Sequence, residues 1–124
     1  MRPAGRTVWA IPSGHIPLRT TGPEPEETSS DTVCLLNTGD RDAAVEIRVY
    51  YEDREPVGPY RLTVPARRTR HIRFNDLIDP EPIPLDTDFA AVVISDLPIV
   101  VLFARKDTSR AENAIAATLA FPCD

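Results

Sequence analysis

The segment Ala43–Tyr51 alternates between apolar and polar side chains with a period of two. One face carries the side chains of Val45, Ile47, Val49 and Tyr51, and the other carries those of Ala44, Glu46, Arg48 and Tyr50. Because successive side chains of a strand point to opposite faces, this pattern predicts an antiparallel strand with one buried face. The same alternation recurs in residues 60–64 and 68–74, which predicts two more strands of this kind.

Proline is the second constraint on the fold. The chain has 13 prolines among 124 residues, about twice the usual share, and proline interrupts helices because it lacks an N–H group. Further β-rich runs predict strands at residues 7–11, 32–37, 89–94, 99–104 and 114–120. We place Pro98 at the start of its strand, where no ladder donor is needed. Eight short strands without strand–helix alternation predict an all-β fold, a single antiparallel β-sandwich of jelly-roll type over residues 1–124.

Three segments are predicted to lie outside the strands. Residues 20–31 are rich in proline, glutamate, serine and threonine, which is typical of an exposed loop. Residues 76–88 hold three prolines, five acidic residues and four apolar ones. They predict a long ordered loop, of a length that often carries function. The last residues, 121–124, are predicted to be frayed.

Composition and charge narrow the class of protein. With 42% hydrophobic residues and a net charge of −5, the chain is an ordinary globular domain. Its apolar runs are shorter than the roughly 18–20 residues that a transmembrane helix needs, and its N-terminus lacks an apolar run of signal-peptide length. We therefore expect a cytoplasmic protein. The two cysteines, Cys34 and Cys123, lack CxxC spacing and predict neither a disulfide framework nor a metal site, and no motif indicates a cofactor.

Residues 55–76 hold five of the 14 basic residues of this acidic chain. Alternation assigns Arg61, His71 and Arg73 to outward faces. If the strands 43–51, 60–64 and 68–74 are neighbours, as hairpin-linked strands usually are, these side chains share one polar sheet face. Arginine binds carboxylates, phosphates and acidic protein surfaces well, so this face could be an interface or a ligand site. The alternative is a solvated surface whose charges pair across strands. Arg70 falls on the inward face and needs a partner or an edge position.

Several other residues allow two interpretations each. Arg67 and Arg68, at a predicted turn tip, are plain surface or, with Arg61, a docking point for an acidic partner. The negative net charge argues against strong non-specific DNA binding by the same residues. Asn75 and Asp76 either close a turn through local hydrogen bonds or face a pocket. The only tryptophan, Trp9, fits the core better than a sugar-stacking platform.

Four long runs occur in order along the chain: GRTVWAIPSGHIP, TVCLLNTGDRDAAVEI, YYEDREPVGPYRLTVPARRTRHIRFND and DTDFAAVVISDLPIVV. They resemble the sensory rhodopsin transducer family over residues 5–120. The resemblance implies an antiparallel β-sandwich that forms a cytoplasmic homotetramer, docks on a seven-helix retinal membrane protein and relays a light signal. For the wider family it also implies binding of small molecules such as sugars, and it raises DNA contact as a further option.

The resemblance carries no settled catalytic or ligand residues. Its pattern is densest at the positions that we therefore take as ligand-binding candidates: Trp9, His71, Arg73, Asn75 and Asp76. The tail, residues 121–124, has no counterpart in the pattern, so the resemblance implies no receptor contact there.

Catalysis has little support in the sequence. The chain has two histidines, and His15 lies in a loop-like segment where a structural or exposed role fits better than that of a general base. No nucleophile elbow, zinc-protease or nucleotide-binding motif is present. We therefore predict a non-enzymatic signalling or binding module that resembles a rhodopsin transducer. A sugar-binding domain is the first alternative, followed by a DNA-contacting regulator.

Overall fold

The structure, a computed structural model, describes residues 2–18, 29–107 and 114–124. Its elements are β1 (Arg6–His15), β2 (Ser30–Asn37), β3 (Ala43–Tyr51), β4 (Val57–Val64), β5 (Arg68–Arg73), a 3₁₀ turn (Phe74–Asp76), β6 (Asp88–Asp107), β7 (Ala114–Leu119) and β8 (Phe121–Pro122). Across these ranges, no helix has the length and apolar character needed to cross a membrane. The predicted all-β class is confirmed.

The eight strands form one open antiparallel sheet with two halves. β6 is 20 residues long and belongs to both halves. Its first part pairs with β1 and β3, which gives the order β4-β3-β6-β1-β8. Its second part pairs with β2 and β7, and β5 adds to the far side of β2. Both halves contribute to a single hydrophobic core, so they pack against each other across it.

The two apolar runs predicted as separate strands, 89–94 and 99–104, are both part of β6. Ile94 pairs with Val8, and Ile99 pairs with Arg6, with a shift of register between them. Pro98 lies in this irregular stretch, where its missing N–H breaks no ladder bond. The predicted division into two strands was wrong, because an irregularity in the pairing accommodates Pro98 without ending β6.

The prediction that β3, β4 and β5 are neighbours was only half right. β3 and β4 pair as expected, with Glu46 opposite Arg61. β5 instead pairs with β2, in the other half of the sheet. The chain therefore crosses from one half to the other at residues 65–67, and the predicted polar face is divided between the halves. Arg70 is exposed on the edge strand β5, where its Nη1 donates to the Thr63 carbonyl at 2.8 Å.

Aromatic packing joins the two halves inside the core. Phe74, in the 3₁₀ turn, is fully buried. Its ring lies 5.2 Å from that of Phe89 and 6.2 Å from that of Phe103, both on β6. Such tilted pairs add about 0.5–1.5 kcal/mol each beyond the burial of their apolar area. The turn after β5 is therefore fixed to the core by one side chain.

The C-terminal residues, predicted to be frayed, are held against β1. β8 pairs with β1, and the Cys123 N–H donates to the Val8 carbonyl at 2.8 Å. The Asp124 carboxylate accepts the backbone N–H groups of Thr7 and Val8 at 3.1 and 3.2 Å. The Thr7 hydroxyl also bonds this carboxylate, and these bonds lower the pKa of Asp124. The prediction of a frayed C-terminus was wrong, because the tail forms hydrogen bonds with an edge of β1 that would otherwise be unpaired.

The two predicted loops have different outcomes. Residues 20–28 lie outside the described part of the chain, and Ser30 and Asp31, which the loop prediction included, are buried in β2. Residues 77–87 connect the 3₁₀ turn to β6. This connection is anchored by Ile83, which is buried, and by the Tyr60 hydroxyl, which donates to the Glu81 carbonyl at 2.6 Å.

Candidate functional site

Four of the ligand-binding candidates lie together where β5 runs into the 3₁₀ turn. His71 is exposed and stands opposite Cys34 of β2. The Arg73 guanidinium faces the Asp76 carboxylate, with Nε and Oδ2 3.4 Å apart. The Asn75 amide donates to the Ser29 carbonyl at 2.9 Å, so it ties this corner to the start of β2. Its Oδ1 is buried, with no hydrogen-bond partner among the described residues.

The fifth candidate, Trp9, lies apart from that corner. It belongs to β1 in the other half of the sheet and is 4% exposed. Its indole N–H donates to the carbonyls of Arg6 and Ile99, both at 3.0 Å. Because the ring is enclosed and the donor is satisfied within the protein, Trp9 fits the core interpretation.

The three docking candidates are all exposed but divided between elements. Arg61, on β4, faces Glu46 with an N–O distance of 3.7 Å. Arg67 occupies the turn between β4 and β5 with a φ of 55°, and its N–H donates to the Gly39 carbonyl at 3.0 Å. Arg68 begins β5 and donates to the Arg67 carbonyl at 3.0 Å. Arg67 and Arg68 thus form a cationic tip fixed by backbone contacts, and Arg61 stands on a separate strand.

Sequence analysis missed a buried ion pair between β2 and β6. Asp31 is fully buried, and its Oδ1 accepts the Arg105 Nε–H at 3.2 Å. Its Oδ2 accepts the backbone N–H of His15 at 2.8 Å, so one carboxylate links three strands. Burial raises the pKa of Asp31, and the hydrogen bonds from Arg105 and His15 offset part of that rise. The only sequence signal was an aspartate directly before an apolar strand, in a segment whose composition is typical of a loop.

An acidic cluster surrounds the His15 side chain. Its Nδ1 lies 2.8 Å from the Asp88 carboxylate, and its Nε2 lies 3.6 Å from that of Asp86. Asp86 also accepts the Leu18 N–H at 2.9 Å, which joins the end of β1 to the connection before β6. A structural role for His15 agrees with these contacts. In the part of the chain that the structure describes, no group of three or more side chains has the geometry to hold a metal ion.

An apolar cavity lies beside the buried ion pair. It has a volume of about 420 Å³ and opens between β1, the second part of β6, β7 and β8. Its lining includes Ile11, Phe103, Ala116 and Phe121, and the Arg105 side chain forms part of its wall. The Nη2 atom of Arg105 is buried and has no hydrogen-bond partner among the described residues. This cavity joins residues far apart in the chain, so local sequence patterns gave no sign of it.

Solved structures resemble this chain over most of its length. The structure of the Anabaena sensory rhodopsin transducer shares 64% sequence identity with it, with a TM-score of 0.74, and the match covers 82% of this chain and 95% of that one. The crystal structure of Thermotoga maritima 1070 is 25% identical, with a TM-score of 0.85 and 95% of both chains covered. No curated protein matches this chain. The sequence profile of a family described as Anabaena sensory rhodopsin transducer matches residues 4–122, and this chain therefore belongs to that family.

Proposed function

We propose that this chain is a non-enzymatic, cytoplasmic signalling partner of a sensory rhodopsin. The observation that carries this proposal is the family match over residues 4–122 together with 64% identity to a protein named as a sensory rhodopsin transducer. The fold is a single sheet with exposed charged turns, which are accessible to a partner. No comparison supports the sugar-binding or DNA-contacting alternatives.

The cationic tip formed by Arg67 and Arg68 is the docking point that we propose for the receptor. Both side chains are exposed, and the contact of the Arg67 N–H with Gly39 holds the turn in place. Exposed cations on a chain of net charge −5 are suited to an acidic patch on a partner. Electrostatic contacts of this kind govern the rate of association and its dependence on salt.

Calorimetry against a sensory rhodopsin in nanodiscs tests both the function and the docking point. We expect wild-type binding that weakens as salt is raised, because exposed charge pairs are screened. The double variant Arg67→Glu/Arg68→Glu should bind about tenfold more weakly, from roughly 0.7 kcal/mol lost at each of the two exposed charges. The matched control is Arg6→Glu/Arg48→Glu, which makes the same charge change at other exposed positions and should bind like wild type.

The outcomes separate the two claims. Failure of the wild-type chain to bind any sensory rhodopsin would contradict the signalling role. Binding that is indifferent to salt and equal in the two double variants would remove the Arg67–Arg68 tip from the interface while leaving the signalling role intact.

We also propose that a second copy of this chain covers the outer face of the half-sheet formed by β5, β2, the second part of β6, and β7. The exposed apolar residues on that face include Leu36, 40% exposed, and Ile115, 76% exposed. Cys34 of β2 and Leu102 of β6 pair with each other and lie between these two residues on the same face. The β5 edge of this face is polar, because Thr69, His71 and Arg73 pair with Leu36, Cys34 and Thr32 of β2. Its apolar part is typical of an interface, and the family resemblance implied a homotetramer.

Light scattering measures this self-association directly. Wild type should be an oligomer, and Leu36→Lys/Ile115→Lys should shift it toward monomer because each lysine would be desolvated at the interface. The control is Leu18→Lys/Ile78→Lys, which replaces two other exposed apolar residues outside that face. A monomeric wild type, or equal masses for both variants, would show that this face is solvated.

A further inference from the structure

The outer edge of β5 differs from the other edges of the sheet, which are formed by β4, β7 and β8. β4 contains Pro59 and a shift of register opposite β3, β8 is two residues long and includes Pro122, and β7 carries no charged residue. β5 has neither a proline nor a shift of register, and among the described residues it pairs only with β2. The backbone N–H and C=O groups on its outer side are therefore available to a further strand.

Positive charge is concentrated on this edge. Four of the six β5 residues are arginine or histidine, and Arg67 precedes them in the turn. Residues 61–75 include no acidic residue, and the β2 residues that pair with β5 are uncharged. Of the four arginines in residues 67–73, only Arg73 forms an ion pair within the described ranges, with Asp76. The other three therefore have no carboxylate partner in the part of the chain that the structure describes.

The side chains of Arg68 and Arg70 lie at the edge itself. Arg70 belongs to the inward side of β5, because it pairs with the buried Leu35, and yet it is exposed, as is Arg68. The Arg70 Nη1 donates to the Thr63 carbonyl at 2.8 Å, so this side chain extends from β5 toward β4. Each guanidinium has five N–H donors and uses one of them within the described residues. Most of these donors are therefore available to an added partner.

Charge on an edge strand determines which strands can pair with it. Charged side chains at a sheet edge prevent the edge from pairing with apolar strands. A basic strand, or β5 of a second copy, would place like charges opposite one another, which is destabilising. A strand with carboxylates near Arg68 and Arg70 instead gains charge-assisted hydrogen bonds. The edge of β5 is therefore suited to an acidic strand.

We propose that β5 binds an extended, acidic segment of a partner protein by strand addition, with backbone hydrogen bonds to its outer edge and with carboxylates that accept from Arg68 and Arg70. In complexes of this kind the main-chain hydrogen bonds supply affinity and the side chains supply specificity. This edge adjoins the Arg67–Arg68 tip, since Arg68 belongs to both. Only the choice of the rhodopsin as the partner rests on the proposed function.

Fluorescence anisotropy with labelled hexapeptides, which match β5 in length, tests the ligand class and the mode of binding. The probes are Glu-Val-Glu-Val-Glu-Val, the same peptide with lysine in place of glutamate, and the acidic peptide with every backbone nitrogen methylated. We expect saturable binding of the first peptide. The other two should bind at least about tenfold more weakly, because one lacks the carboxylates and the other lacks the N–H donors.

Hydrogen exchange and a double variant test the location. The acidic peptide should protect amides within residues 68–73 from exchange. Arg68→Gln/Arg70→Gln should weaken its binding about tenfold. The matched control is Arg6→Gln/Arg48→Gln, which makes the same charge change at exposed positions on other strands and should bind the peptide like wild type.

Several results would overturn strand addition at β5. They are the absence of saturable binding of the acidic peptide at millimolar concentration, equal affinity for the basic or the methylated peptide, protection confined to residues outside 68–73, and wild-type affinity in Arg68→Gln/Arg70→Gln. If that variant does not fold, the three peptides and hydrogen exchange with the wild-type chain still decide the question. Because no receptor is present, failure of the peptides to bind leaves the calorimetry with the rhodopsin unaffected, and the two claims can fail separately.

Discussion

Replacing Arg105 with glutamine should destabilise the fold in a way that depends on pH. The Asp31 carboxylate, fully buried between strands, would lose the Nε–H donor that lies 3.2 Å from its Oδ1. Its Oδ2 would keep the His15 N–H at 2.8 Å. The substitution therefore leaves a buried negative charge with one neutral donor where it had a charged donor as well.

The expected loss at neutral pH is about 2 kcal/mol of unfolding free energy. Hydrogen bonds to charged groups contribute about 1.5–3 kcal/mol. The lower part of that range applies because the Arg105 side chain is 36% exposed, so that water replaces part of the interaction. For a domain of this size, about 2 kcal/mol corresponds to a fall in Tm of roughly 8 °C.

The sign of the pH dependence follows from the pKa of Asp31. Burial raises this pKa above its ordinary value, and the hydrogen bond from Arg105 brings it partly back. Without Arg105 the pKa of the folded state rises further. A carboxyl with a raised pKa in the folded state favours folding at low pH, and this contribution is lost as the pH rises through that raised pKa. The deficit of Arg105→Gln should therefore be largest at neutral pH and shrink on acidification.

Urea unfolding, followed by fluorescence of the single buried tryptophan, measures this deficit directly. Wild type, Arg105→Gln and the control Lys106→Gln would be compared at about pH 7.5 and about pH 4.5, so that subtraction removes the pH dependence they share. A deficit that stays constant or grows on acidification would refute the assignment of Asp31 as the destabilised group. An equal deficit in Lys106→Gln would show that net charge, rather than the buried pair, is responsible.

Three further substitutions test contacts elsewhere in the fold. Phe74→Ala should cost about 3–5 kcal/mol in urea unfolding, because it empties a fully buried ring site between the sheet halves; a cost below 1 kcal/mol would contradict this packing. Asn37→Ala should lower the unfolding free energy by about 2–3 kcal/mol, because the buried amide donates to the carbonyls of Arg41 and Val64 at 2.8 and 3.0 Å; an unchanged unfolding free energy would contradict it. Burial raises the pKa of Tyr60 to about 12, so Tyr60→Phe should remove that late ionisation from a spectrophotometric titration and leave the earlier ones; loss of an earlier one would refute it.

The local part of the fold could be predicted from sequence because it depends on single strands. In β3 the buried residues Val45, Ile47 and Val49 follow the period-two pattern, since one covered face is enough to impose it. The same holds for Tyr60 and Val64 in β4. The alternation of apolar and polar side chains is therefore enough to predict that these segments are strands.

Strand pairing could not be predicted in the same way because it depends on contacts distant in sequence. The turn at residues 65–67 has the composition of a hairpin turn, yet β5 crosses to the other half of the sheet and pairs with β2. The local pattern is the same for a hairpin and for such a crossing. The buried pair of Asp31 and Arg105, 74 residues apart, was missed for the same reason.

The cationic tip of Arg67 and Arg68 and the pair of Asp31 and Arg105 lie at opposite ends of β2. Asn37 pairs with Arg68 at one end, next to the cationic tip, and Asp31 pairs with Arg105 at the other. Six residues of strand separate them, or about 20 Å at 3.3 Å per residue. Substitutions so far apart without shared partners should act additively. A substitution of Arg105 that altered receptor affinity through this distance would therefore require β2 itself to have two arrangements.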